Sequence, residues 1–153
     1  MKRFETWDVD LQEFFLGRVN TPFTWSTNDC CSFASDSILA MTGVDVAAWF
    51  RGKMDPSEGR RRSFQLLKEF SGGSVKETWE KMAEDNDLEV IREEEIVPGD
   101  VVLMKVKPLD PVALLMADGV TLGVKSFKEG FFSPGKDGLV LSVDPEIVKA
   151  WRV

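Results

Sequence analysis

The run Trp25-Ser26-Thr27-Asn28-Asp29-Cys30-Cys31-Ser32-Phe33-Ala34 holds the residue types of a nucleophile at a helix start. A loop of polar capping residues leads into an apolar helical pattern, with two thiols at the junction. The first backbone N–H groups of a helix have no partners within it, and its dipole is positive there. A thiolate at that position is stabilised and its pKa falls. Turnover by a cysteine hydrolase also needs a proton carrier, usually histidine, and this chain contains none. General-base catalysis contributes about 10²–10⁴ in rate. A thiolate alone reacts stoichiometrically with an electrophile but supplies no proton to a leaving amine. Asp29 and Asp100 are the acids that could stand in. An aspartate has an unperturbed pKa of about 3.9, so burial would have to raise it.

Two readings of the cysteines stay open. In one, Cys30 retains nucleophile chemistry. In the other, both thiols are small apolar fillers of a crowded helix start, with Asp29 as the cap and Asn28 serving the loop. Adjacent cysteines cannot cross-link distant parts of a fold, and a bond between neighbours would be strained, so a reduced protein is expected. Two adjacent thiols without imidazole also lack the usual metal-ligand spacing, and no metal or cofactor is expected. Glu93-Glu94-Glu95 reads as a solvated loop.

The elements that must position these residues come in two halves. Leu11, Phe14, Phe15 and Val19 recur at helical spacing behind Asp8 and Asp10, which predicts a helix over 8–19. A second, inward-lying helix is expected over 30–41, closed by Thr42-Gly43. Residues 44–50 read as a short helix. Asp55-Pro56-Ser57-Glu58 starts another that runs to about Phe70. After Ser71-Gly72-Gly73, the pattern Ser74-Val75-Lys76-Glu77 is a capping box for a helix whose buried stripe is Val75, Trp79 and Met82. Beyond it the texture turns to strands: 88–91, 101–106 after the turn Pro98-Gly99-Asp100, 112–117, 120–124 after an Asp118-Gly119 hairpin, and 139–143. Residues 130–138 read as a loop, and 150–153 as an edge strand. Helices followed by antiparallel strands mean α+β. Trp25, Trp49, Trp79 and Trp151 are expected as core and groove walls. Two adjacent rings cannot both point inward from a strand, so Phe131-Phe132 marks a contact surface for a partner chain.

The chain has 153 residues, one domain by length, with 43% hydrophobic and 10% aromatic residues. Five Trp and eleven Phe supply large buried area. A net charge of −7 argues against a general binder of nucleic acid or anionic membrane. The basic cluster Arg60-Arg61-Arg62 reads as a solvated helix face. Met1-Lys2-Arg3 is followed by Phe4-Glu5-Thr6-Trp7-Asp8 rather than an apolar run, so no signal peptide and no membrane span are expected.

Three pieces together resemble the NlpC-like cysteine peptidases, a papain-like fold that cleaves peptide bonds in bacterial cell walls. Asp29-Cys30-Cys31 is similar to that family's Asp-Cys-Ser, where the Cys is the nucleophile. Pro98-Gly99-Asp100-Val101-Val102 is similar to the Pro-Gly-Asp before its first core strand. The segment 112–119 resembles its second core strand, His-Val-Gly-Ile-Tyr followed by a Gly turn. More narrowly, the chain is similar to a phage branch encoded among tail genes, on Thr42-Gly43-Val44-Asp45, Arg51-Gly52 and the closing Ala150-Trp151-Arg152-Val153. The resemblance implies a single papain-like domain over 1–153, its helices followed by a small antiparallel barrel-like sheet. It puts Cys30 at the nucleophile position and Ala113 in the place of the catalytic histidine. The residue that orients that histidine falls within 121–125, where Lys125 would be a poor substitute. Asp29, Trp25, Cys31, Phe131 and Phe132 are the candidate binding residues. The implied setting is a virion tail tip or baseplate, reached after synthesis in the bacterial cytoplasm, with hub proteins as partners and no turnover. The alternative is an active peptidoglycan endopeptidase acting on cell-wall peptide through Cys30, with an unorthodox or partner-supplied base.

Overall fold

A computed structural model describes residues 1–53, 56–105 and 119–153. Among these, the chain is α+β, with four helices followed by a six-stranded antiparallel sheet. Helix α1 spans Trp7–Arg18, with Asp8 and Asp10 in its first turn and Arg18 in its last, matching the helix dipole. Its Leu11 and Phe15, one turn apart, are buried. Helix α2 spans Cys30–Thr42 and is buried along most of its length. It ends at Gly43, whose left-handed φ of 74° lets its N–H reach the Leu39 carbonyl at 2.8 Å. A 3₁₀ turn at Pro56–Glu58 leads into α3, Gly59–Ser71. Helix α4, Val75–Asp85, is capped by the Ser74 hydroxyl, which accepts from Glu77 N–H at 3.0 Å. Val75, Trp79 and Met82 are buried, as the stripe predicts.

The strands are β1 Glu89–Ile91, β2 Val101–Lys105, β3 Val120–Lys125, β4 Phe131–Gly135, β5 Gly138–Ser142 and β6 Ile147–Arg152, in sheet order β1-β6-β2-β3-β4-β5. Strands β2 and β3 pair from Val101↔Val124 to Lys105↔Val120. The main core joins Leu11, Phe15, Phe33, Ile38 and Trp79 of the helices to Val101, Leu103, Leu122, Val124 and Trp151 of the sheet. A second cluster holds Val102, Met104, Phe131 and Ala150. No helix among the described residues is long and apolar enough to cross a membrane.

Three expectations are corrected. Residues 44–50 are not a helix: successive turns run over 46–52. The Asp45 carboxylate accepts from Ala47 N–H at 3.0 Å, and such a side-chain bond to nearby backbone competes with helix formation. Residues 130–138 are β4 and its hairpin to β5 instead of a loop. Pro134 is tolerated there because β3 pairs with β4 only at Phe131 and Phe132, so no neighbour on that side needs its missing N–H. The terminal strand begins at Ile147 and lies between β1 and β2, so it is interior and not an edge. The expected strand at 112–117 and the Asp118 turn position fall outside the described residues.

The end of α1 abuts the β4–β5 hairpin. The Val19 carbonyl accepts from Leu139 N–H at 3.0 Å, and the Phe23 N–H donates to the Gly135 carbonyl at 2.8 Å. Gly138 has φ 147°, and a Cβ there would lie 2.1 Å from the Val19 oxygen. Gly138→Ala is therefore expected to cost on the order of 1–3 kcal/mol. In thermal unfolding that is a Tm drop of roughly 2–4 °C per kcal/mol. Gly17→Ala, in α1 with open space around it, is expected to raise Tm because it only removes backbone freedom.

Candidate functional site

The loop before α2 is held by its own polar residues. The Asn28 amide donates to the Thr21 and Pro22 carbonyls at 3.2 and 3.0 Å, and its oxygen accepts from Arg18 at 2.8 Å. Asn28 is buried and fully used by the loop. Ser26 takes a left-handed φ of 74°, a strained state for a residue with a side chain. That conformation turns its N–H onto Asp29 Oδ2 at 2.8 Å. Asp29 Oδ1 accepts from Ser32 N–H, also at 2.8 Å, which makes Asp29 the N-cap of α2. Burial pushes the Asp29 carboxyl above its usual range, and the Ser32 and Ser26 N–H bonds pull part of the way back.

Cys30 is the first residue of α2 and is 3% exposed. Its sulfur accepts from the Cys31 thiol, from the Leu122 N–H of β3 and from the Thr121 hydroxyl. These donors hold its pKa below that of an ordinary thiol, the Cys31 bond above all, against burial and the Asp29 charge. Cys31 is the opposite case. Donating to Cys30 while buried beside two negative neighbours pushes its pKa well up. Of the two thiols, Cys30 is therefore the one that gives up its proton first.

On the Cys31 side lies a narrow apolar slot. Trp25, Asp29, Cys31, Trp49, Phe50, Ser63, Leu66 and Val75 are among its lining residues, and its cavity measures about 30 Å³. That exceeds the roughly 10–15 Å³ a single water requires. Trp25 packs edge-on against Phe23 at 5.0 Å, and Trp49 stacks on Phe70 at 3.8 Å. Trp25 and Trp49 are thus slot walls. Trp79 and Trp151 are core, meeting edge-to-face at 6.3 Å.

The other expected site residues separate from this centre. Phe131 packs in the second cluster and Phe132 against Phe15 at 4.9 Å, so both rings have intramolecular cover. Asp100 is engaged by Arg3 at 2.9 Å and Arg152 at 3.0 Å. Lys125 donates to backbone carbonyls of its own turn, at Ser126 and Lys128. Glu93–Glu95 form an exposed 3₁₀ turn in which Arg92 pairs with Glu94 and Glu95. Ala113 lies outside the described residues. Among those described, the side chain that β3 sets against Cys30 is Thr121, which the sequence reading left unassigned within 121–125. Its signal was a polar residue two places before a glycine in an apolar strand pattern. Thr121 and Cys30 are 91 positions apart, and the packing of α2 on β3 brings them together.

The Thr42-Gly43-Val44-Asp45 and Arg51-Gly52 pieces shape the chain after α2. Arg51 Nε donates to Asp45 at 2.7 Å, and its other end pairs with Asp36, which also takes Arg18 at 2.8 Å. A comparison with curated proteins returned no match. The family described as a domain of unknown function, DUF6950, matches residues 2–153. With essentially its whole length covered, the chain belongs to the DUF6950 family.

Proposed function

We propose that this chain is a phage or prophage tail-tip protein built on a peptidase-like, NlpC-type scaffold, which docks onto hub proteins and does not turn over substrate. The observation that carries the reading is the group against the sulfur. Cys30 keeps the helix-start geometry of a nucleophile, yet its partner on β3 is the Thr121 hydroxyl, which cannot relay protons near neutral pH. Asp100 is tied up in ion pairs, and the Asp29 carboxylate is occupied by the helix start. The tail setting rests on the sequence resemblance.

One observation favours the second reading, a peptidoglycan endopeptidase. The Cys30 sulfur is held by three donors that lower its pKa, as a working nucleophile requires.

The two readings separate in the phage or prophage that encodes the chain. Deletion of the gene is expected to block tail assembly, whereas Cys30→Ala is expected to leave assembled tails and plating unchanged. Purified wild-type protein is expected to release no stem peptides from murein. Multiple turnovers abolished by Cys30→Ser would establish the peptidase.

A further inference from the structure

Helix α1 is apolar on two sides, and the core takes up only one of them. Leu11 and Phe15 are buried and join the main core. On the solvent side Leu16 is 74% exposed, the most of any large apolar residue among those described, and Val9 is 51% exposed. These two are seven residues apart, so they share one face of the helix, about 10 Å apart along its axis. Val19, 45% exposed, continues the stripe one turn past Leu16. The stripe of Leu11 and Phe15 already accounts for the packing of a surface helix. The second stripe buries nothing within the chain, and covering it would release the water it holds.

The charge around this second stripe has one sign. Residues 4–17 hold four acids and no Lys or Arg. Asp8 and Asp10 serve the helix dipole in the first turn. Glu13 lies beyond that turn, between Val9 and Leu16 on their own face, and Glu5 lies before it. None of the four enters an ion pair among the described residues. The two arginines that bracket α1 are turned inward, Arg3 onto Asp100 and Arg18 onto Asn28 and Asp36. Lys2 near the chain start and Lys136 in the hairpin that abuts the end of α1 are exposed and pair with none of these acids.

From these features we infer that the outer face of α1 is a docking surface for a basic amphipathic helix of a partner protein, whose aliphatic residues cover Val9 and Leu16 and whose Lys or Arg side chains reach Glu5, Asp8 and Glu13. The inference rests on the docking reading and names its surface and its occupant. A second helix laid along α1 repeats its own face at the same seven-residue spacing, so one helix can cover both aliphatic side chains at once. The acids select a positive partner, and the net charge of −7 draws it in the same sense.

The test is made in the phage or prophage that encodes the chain. Leu16→Ala combined with Glu13→Lys should lower the amount of this protein in purified tails by at least about tenfold. Both positions are exposed, so the circular dichroism and Tm of the purified variant should stay close to wild type. Val90→Lys, at a 56% exposed apolar position on β1, should leave incorporation within about twofold of wild type. A photo-crosslinking phenylalanine analogue at position 16 should capture a partner segment with Lys or Arg around aliphatic residues seven apart. The same analogue at position 90 should not capture that segment. Normal incorporation of the double variant overturns the inference. So does capture at position 16 of a segment without Lys or Arg, or of a second copy of this chain. If deletion of the gene blocks tail assembly while the double variant incorporates normally, the docking reading stands and this surface is wrong. If deletion leaves tails intact, the docking reading falls and the inference falls with it.

Discussion

Asp100→Ala is expected to remove about 3–5 kcal/mol of stability, the cost of stranding buried charge. The carboxylate is 0% exposed and serves four donors from three stretches of chain. Arg3 reaches Oδ1 at 2.9 Å and Arg152 reaches Oδ2 at 3.0 Å, while the Val97 and Val153 N–H groups close in at 2.9 and 3.3 Å. Arg3 also donates to the Val153 and Pro98 carbonyls and lies 4.3 Å over the Trp7 ring. One side chain thus fastens the segment before α1, the turn before β2 and the end of β6. Removing it leaves two guanidinium groups and two N–H groups short of an acceptor at once. The exposed pair Lys81–Asp85, at a similar 2.8 Å, is the contrast. Water screens it, and Lys81→Ala should cost under about 1 kcal/mol. Urea unfolding at neutral pH reads both. An Asp100→Ala variant within 1 kcal/mol of wild type would refute the fastening role. Arg3→Ala and Arg152→Ala should also be non-additive, since they share one carboxylate.

In a second expected result, Cys31→Ala moves the alkylation profile of Cys30 from below the ordinary thiol range to above it. In the wild type, the Cys31 thiol is the largest of the influences that lower the Cys30 pKa. Without it, burial and the Asp29 charge act against only the Leu122 and Thr121 donors. Each pH unit of upward shift lowers the thiolate fraction tenfold at neutral pH. Intrinsic nucleophilicity rises by about threefold, so the rate falls about threefold per unit. Stability carries the same signature. A thiol whose folded pKa is depressed contributes stability above its unfolded value of about 8.5, and that contribution is lost as pH falls through the folded value. In Cys31→Ala the sign reverses, and stability is lost as pH rises through the raised folded value. Cys31→Ser, which keeps a hydrogen-bond donor, should restore most of the wild-type profile. Mass-resolved alkylation of Cys30 with a small reagent gives the midpoint. A midpoint near 8.5 in all three proteins would mean that the thiol reacts only from the opened chain, and the role of Cys31 in lowering the Cys30 pKa would be refuted.

What could be read from the residues follows the range of the forces involved. Helices α1, α2 and α4 were legible because each carries a local signal: the stripe Leu11 with Phe15 in α1, the caps Asp29 and Gly43 of α2, and the cap Ser74 with the stripe Val75 and Trp79 in α4. The role of Asp29 as cap was equally local. Strand β5 was expected over 139–143, whereas β4 was missed because Gly130, Pro134 and Gly135 look like loop residues. Their strand character comes from β5 across the register and from packing on both faces. The place of β6 was missed for the same reason, since Trp151 is set by Val90 and Val101 on its two neighbours. At the site, the sulfur was visible and its counterpart was not. Thr121 acquires its position from β2, α2 and β3 meeting, a relation that no window of sequence contains.

The contact between Val19 and Leu139 has a consequence for the border of the sheet. Among the described residues, strand β5 is the last in the sheet, and Val140 and Leu141 on it are nearly half exposed. An apolar border of that kind is a template for runaway strand addition between copies, the step that seeds fibrils. Because the carbonyl at the end of α1 already occupies the outward Leu139 N–H, an incoming chain finds that rung taken. Strand addition by a neighbouring copy is thereby blocked at that rung.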